Sequence, residues 1–215
     1  MSANPPPKRS YSSSRRQAQA RQTRLGIIAA ARVLFIERGY SGATIEAIAQ
    51  QAGVAPETIY AIFGNKQAIL SALVEISLLG DDQPTPLLQR PGPQQVVQQT
   101  DPRLQIQLFS QDMRQIMQRM APVFEVINAA AKTEPEIAAL RHEMLAGRLE
   151  GMRFFVDALS RHAPLRQGMD ASSASETVWA LTSAEVFNLL TVQRGWTYEQ
   201  YEHWLADALL RLLLD

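Results

Sequence analysis

The chain of 215 residues is long enough to bury a sizeable core and contains no cysteine, which excludes disulfides and thiol catalysis and makes a reducing cytoplasm the expected compartment. Its net charge of zero conceals an asymmetry: residues 1–66 hold nine Lys/Arg against three Asp/Glu, a net +6, and residues 67–215 hold 12 against 18, a net −6. A basic leading module before an acidic remainder points to a polyanion for the first and to something else for the second.

Residues 1–20 carry Pro5-Pro6-Pro7, five serines and the pairs Lys8-Arg9 and Arg15-Arg16. Too little apolar surface is present to offset ordering entropy, so this stretch reads as a disordered basic arm, either a solvated tail or a tracker of phosphates. It lacks the apolar stretch of a signal peptide. The most apolar run, residues 25–36, contains Arg32 and is too short to span a bilayer, so neither a targeting segment nor a membrane partner is expected.

From Thr23 the pattern is helical, with Ile27, Ile28, Ala31, Leu34 and Phe35 on one face and Gly39 as the stop. Thr44 is placed to cap a second helix whose buried stripe is Ile45, Ile48, Ala49 and Ala52. Gly53 supplies the left-handed backbone of a tight turn, and Ala49, four residues earlier, is small enough for two helices to cross closely. Pro56 fits the first turn of a third helix, with Ile59, Ile62 and Phe63 inward and Gly64-Asn65 as its end. Residues 44–60 thus have the spacing of a helix-turn-helix. A fourth helix opens near Lys66 and runs to about Leu79.

Residues 80–102 contain five prolines and read as a loop-rich connector. Helical periodicity resumes from Leu104 through Met120, with Pro122 starting a separate segment that stops near Thr133. Pro135 opens a helix that ends before Pro164, and two more cover roughly 174–193 and 198–214. The expected fold class is therefore all-α: an amino-terminal three-helix helix-turn-helix domain over 21–66, behind the arm of 1–20, and a helical carboxy-terminal domain over 67–215.

The series Ile27-Ile28, Ala31, Leu34-Phe35, Gly39-Tyr40, Thr44-Ile45, Ile48-Ala49, Ala52-Gly53-Val54, Thr58-Ile59-Tyr60, Phe63-Gly64-Asn65-Lys66 and Leu70 resembles the amino-terminal DNA-binding domain of the tetracycline-repressor-like (TetR) family. The resemblance covers roughly residues 21–70. It implies a homodimer whose third helix enters the major groove of a palindromic double-stranded DNA operator, and a second domain that binds a small molecule and the partner subunit. The exposed face of the recognition helix would be Pro56, Glu57, Thr58, Tyr60 and Ala61. Thr58 suits a phosphate or a thymine methyl, Tyr60 a phosphate oxygen, and Glu57 either accepts from a cytosine amino group or repels the backbone. Thr44, Lys66 and Arg24 are further candidates for phosphate. Glu57 and Ala61 depart from the residues common in the family, so no base preference carries over.

In the second domain, the adaptable thioethers and rings of Phe109, Met113, Met117, Phe124 and Met152 suit an apolar or aromatic effector. Asn128, Arg148, Thr182 and Glu185 are polar residues placed to orient it, although an Arg148–Glu185 ion pair would account for two of them. By the same resemblance the last two helices pair with their symmetry mates, with Trp179, Val186, Leu190, Trp204, Leu205, Ala208, Leu209 and Leu212 as interface candidates. No enzyme, cofactor or metal site is expected: His142-Glu143 begins like a zinc-protease helix, but residue 146 is Ala. The reading is a DNA-binding transcriptional regulator, a repressor released by a small hydrophobic effector. Its alternatives are a helical interaction module and a ligand-dependent co-repressor or activator with weak intrinsic DNA binding.

Overall fold

The computed structural model describes residues 11–215, with side-chain surroundings from Arg15 onward. The proline run and Lys8-Arg9 of the expected arm lie outside the described residues. Among the described residues the regular structure is entirely helical, and no single helix is long and apolar enough to cross a membrane. The chain forms two compact units that divide between Leu73 and Val74.

The first unit contains α1 (Tyr11–Gly42), α2 (Ile45–Ala52), α3 (Pro56–Phe63) and the first two turns of α4 (Lys66–Leu79). Residues 11–20, expected to be disordered, are instead the opening turns of α1. Arg, Gln and Ala fill much of this stretch and are strong helix formers, so intrinsic propensity carries the helix where burial does not. The side chains from Arg15 to Gln22 are exposed. Regular helical backbone breaks at Gly39, where φ is 70°.

Ile27, Phe35, Ile48 and Ile59 are fully buried, each contributing about 2 kcal/mol by leaving water. The α2–α3 turn is a Schellman motif: Gly53 takes a left-handed φ of 67°, its N–H donates to Gln50, and the Val54 N–H donates to Ala49. Thr44 Oγ1 accepts from the Ala47 N–H at 3.1 Å, and Pro56 occupies the first turn of α3. Asn65 does more than end α3, since its Oδ1 caps α4 by accepting from the Ala68 N–H at 2.8 Å.

The second unit departs from the sequence reading in three places. The proline-rich connector contains a 3-10 turn (Leu87–Gln89) and α5 (Pro91–Gln98), because prolines at a first helical turn forfeit no intrahelical bond. Arg90 organises the loop before it, donating to Leu79, Gln83 and Thr85 carbonyls and to both oxygens of Asp81. Secondly, α6 (Pro102–Ala130) runs unbroken through Pro122. Met113, Ile116, Met117 and Met120 before the proline, and Val123, Phe124 and Ile127 after it, form one buried stripe. That burial outweighs the cost of about 3 kcal/mol for an interior proline.

After α7 (Pro135–Ser160), the expected single helix over 174–193 is divided into α8 (Ala171–Leu181), α9 (Ala184–Asn188) and a π-helical turn (Leu189–Gln193). The break follows from Ser183, whose Oγ accepts from the Val186 N–H at 3.2 Å and so starts a new helix. Thr197 and Gln200 form a reciprocal capping box at the start of α10 (Tyr198–Leu213). α10 lies along α6, and α8 along α7. Arg114 joins Glu202 across the first pair at 2.6 Å, with both side chains largely buried.

Candidate DNA-binding interface and ligand cleft

α3 buries Ile59 completely and turns Glu57, Tyr60 and Ala61 to solvent, with Pro56 and Thr58 half-buried beside them. Tyr60 is 52% exposed, which leaves its hydroxyl available for a phosphate. Ile62, expected to face inward, is exposed, because the short helix presents only one fully covered position and its last turn overhangs the core. Phe63 is half-buried. Thr44 is exposed and its oxygen already accepts the α2 cap bond, so the hydroxyl proton remains the donor it can offer.

The two cations expected beside this face are both held against aromatic rings. Lys66 Nζ donates to the Tyr40 carbonyl at 2.8 Å and lies 4.2 Å from the centre of the Tyr40 ring. The Arg24 guanidinium lies 5.6 Å from the centre of the Phe63 ring. Both therefore brace the first unit, a role that sequence spacing gave no means of seeing because each partner is remote in the chain. Tyr40 was identifiable only as part of the Gly39-Tyr40 pair.

In the second unit the 3-10 turn, α5, α6 and α7 enclose a cleft with an empty volume of about 460 Å³, including the open solvent at its mouth. Phe109, Met113 and Met152 of the expected effector residues line it, together with Leu87, Val96 and Phe155. Phe109 and Phe155 stack with ring centres 3.8 Å apart. The remaining candidates do not line this cleft. Met117 and Phe124 are buried elsewhere in the core. Asn128 accepts from Arg141 Nε at 2.5 Å and donates to Glu185 at 3.4 Å, outside the cleft. Thr182 is buried, with its hydroxyl donating to the Val178 carbonyl at 2.8 Å.

Arg148 faces Trp179, donating to its carbonyl and lying 4.5 Å from its ring centre, and Glu185 acts on it only at longer range. Burial pushes the Arg148 guanidinium down to about 10. The same burial pushes the Tyr201 hydroxyl well above the usual phenol range. Most of the cleft wall escaped the sequence reading, the residues of the 3-10 turn and α5 above all, and so did Asp112, whose only signal was an acid within the apolar stripe of α6.

The interface candidates also divide. Leu205 and Leu209 are completely buried within the subunit, because α6 covers that side of α10, and they are core rather than free surface. Trp179, Val186, Leu190, Trp204 and Ala208 are half-buried. Leu212 is 38% exposed, and the π-helical turn adds Leu189 and Val192, the latter 73% exposed.

The sequence model described as "Bacterial regulatory proteins, tetR family" matches residues 27–73, the stretch that forms this helix-turn-helix. The chain is 25% identical over 187 residues to the HTH-type transcriptional repressor BepR of Brucella suis, covering 84% of this chain and 87% of that protein. NalD, the secondary repressor of the MexAB-OprM multidrug efflux pump in Pseudomonas aeruginosa, shares the fold with a TM-score of 0.67 at 21% identity, over 91% of this chain and 98% of NalD. The SmeT–triclosan complex does so with a TM-score of 0.69 at 20% identity, over 90% of this chain and 92% of SmeT. Residues 27–73 thus form a TetR-type DNA-binding domain, and with the likeness to BepR along most of the chain they identify a DNA-binding transcriptional regulator.

Proposed function

We propose that this regulator is a cytoplasmic homodimeric repressor that leaves a palindromic operator when a small, largely apolar molecule fills the cleft beside Phe109, Met113 and Met152. The apolar lining of the cleft carries this reading, since small-molecule sites are lined mostly by such side chains. BepR and NalD are both repressors, and SmeT is found with triclosan. Residues 21–66 would act as the DNA-reading module and residues 67–215 as the effector and dimer module. Leu189, Val192 and Leu212 supply the exposed apolar surface that a second copy would cover.

Two recognition helices in a dimer would address half-sites about 34–36 Å apart, one turn of the duplex. An effector that binds the arrangement unable to span them shifts the population off DNA by its differential affinity. The test is selection of binding sites from random duplexes at two salt concentrations, followed by sedimentation of the complex and challenge with triclosan as a probe. A palindrome bound by a dimer and released by the probe is the expected result. Weak binding that vanishes with salt, with no selected sequence, would overturn it.

A further inference from the structure

On α3 the residues two positions before and after the buried Ile59 are Glu57 and Ala61, which at about 100° per residue stand on the side of the helix turned away from the core. Both are exposed, and Thr58 and Tyr60 flank them. A recognition helix meets base edges with its N-terminal residues, and Glu57 is the second residue of α3. No Lys or Arg occurs in α3, so the commonest specific contact, a cation on guanine, is closed to it. Its one charged side chain is the Glu57 carboxylate, which can only accept and which forms no ion pair among the described residues.

We propose that Glu57 sets the base preference of the operator by accepting a hydrogen bond from the N4 amino group of a cytosine in each half-site. This rests on α3 being the DNA-reading helix. In the major groove guanine presents N7 and O6 and thymine presents O4, all acceptors that repel a carboxylate, whereas cytosine and adenine present amino donors. Adenine sets its N7 acceptor beside the amino group, so a carboxylate bonded there meets a lone pair with its second oxygen; cytosine has a C–H in that place. Ala61, one turn further along the same face, ends in a methyl and leaves the carboxylate room to reach the base. Against any base without a free donor the carboxylate loses its water and gains no partner, so the residue that selects cytosine also penalises the alternatives.

The experiment is selection of binding sites from random duplexes by the full chain and by its Glu57→Gln and Glu57→Ala variants, followed by affinities for the selected duplex with each base pair placed in turn at the assigned position. Glu57 is exposed, so both variants should fold. The unaltered protein should select a cytosine in each half-site and lose at least about fivefold in affinity when it is replaced. Glu57→Gln should move the choice at that position to adenine, which a side-chain amide pairs through N6 and N7, and Glu57→Ala should lose the choice there while the rest of the selected sequence stays. If all these proteins select the same sequence, Glu57 reads no base and the proposal is overturned while operator binding stands. A Glu57→Ala protein that keeps the full preference and binds every duplex more tightly by one factor overturns it equally, and assigns Glu57 to repulsion of the backbone. If the unaltered protein selects no sequence, the regulator reading falls and the base reading with it.

Discussion

Lys66 and Tyr40 close the first unit on itself: the lysine at the start of α4 donates to the Tyr40 carbonyl at 2.8 Å and lies 4.2 Å from the centre of the same ring. A hydrogen bond from a charged donor contributes about 1.5–3 kcal/mol and the ring contact about 0.5–1. Lys66→Met should therefore lower stability to urea by about 2 kcal/mol with the denaturant slope unchanged. The same variant tests the phosphate role: the salt slope of operator binding drops by about 0.9 if Lys66 also meets DNA, and stays put if its work is internal.

Tyr60 is more exposed than Ile62, the other large side chain that α3 turns outward, and its hydroxyl is the group suited to a phosphate. Tyr60→Phe removes only the hydroxyl, so the ring packing survives. Affinity should fall about five- to tenfold, the worth of one hydrogen bond, and by the same factor on operator and scrambled duplex, since phosphates carry no sequence. A loss confined to the operator in a filter-binding assay would make Tyr60 a base reader instead.

The parts of this molecule that were legible in the sequence are those set by neighbours in the chain. Ala49, Gly53 and Val54 define a turn within six residues, and Thr44 caps its own helix, so both follow from local rules. Which face of α10 is covered is a different kind of question. Leu205, Leu209 and Leu212 are equally apolar, and only the placement of α6 decides that the first two are core. Pro122 misled for the same reason, since the buried stripe that keeps α6 continuous is a tertiary effect. Asp112 stayed hidden because its surroundings come from α5 and α7 rather than from α6 alone.

That distinction on α10 separates two substitutions that look alike. Leu212→Glu alters an exposed residue, so the fold should survive and the proposed dimer should dissociate, seen as the monomer mass in sedimentation equilibrium. Leu209→Glu places a charge in a fully buried position and should unfold the second unit, seen as lost helical circular dichroism at ordinary temperature. A folded Leu212→Glu protein that remains dimeric would move the interface to Leu189 and Val192.

Asp112 gives a pH dependence of definite sign. Its folded carboxyl is raised above the ordinary range by burial, with Arg119 opposing that shift incompletely. The native state therefore binds this proton more tightly than the unfolded chain does, so the contribution to stability is complete below the ordinary carboxylate range and is lost as pH rises through the raised value. Asp170, whose carboxylate accepts the Ser173 N–H at 2.7 Å, is lowered and behaves in the opposite sense, losing its contribution as pH falls. Comparing the protein with Asp112→Asn cancels Asp170 and every other carboxylate. Without ligand, the variant should melt higher at neutral pH, and the difference should close below about pH 4, where Asp112 is protonated in both states. A variant that melts lower at every pH would mean that the carboxylate is needed to hold α5 in place through Gly92.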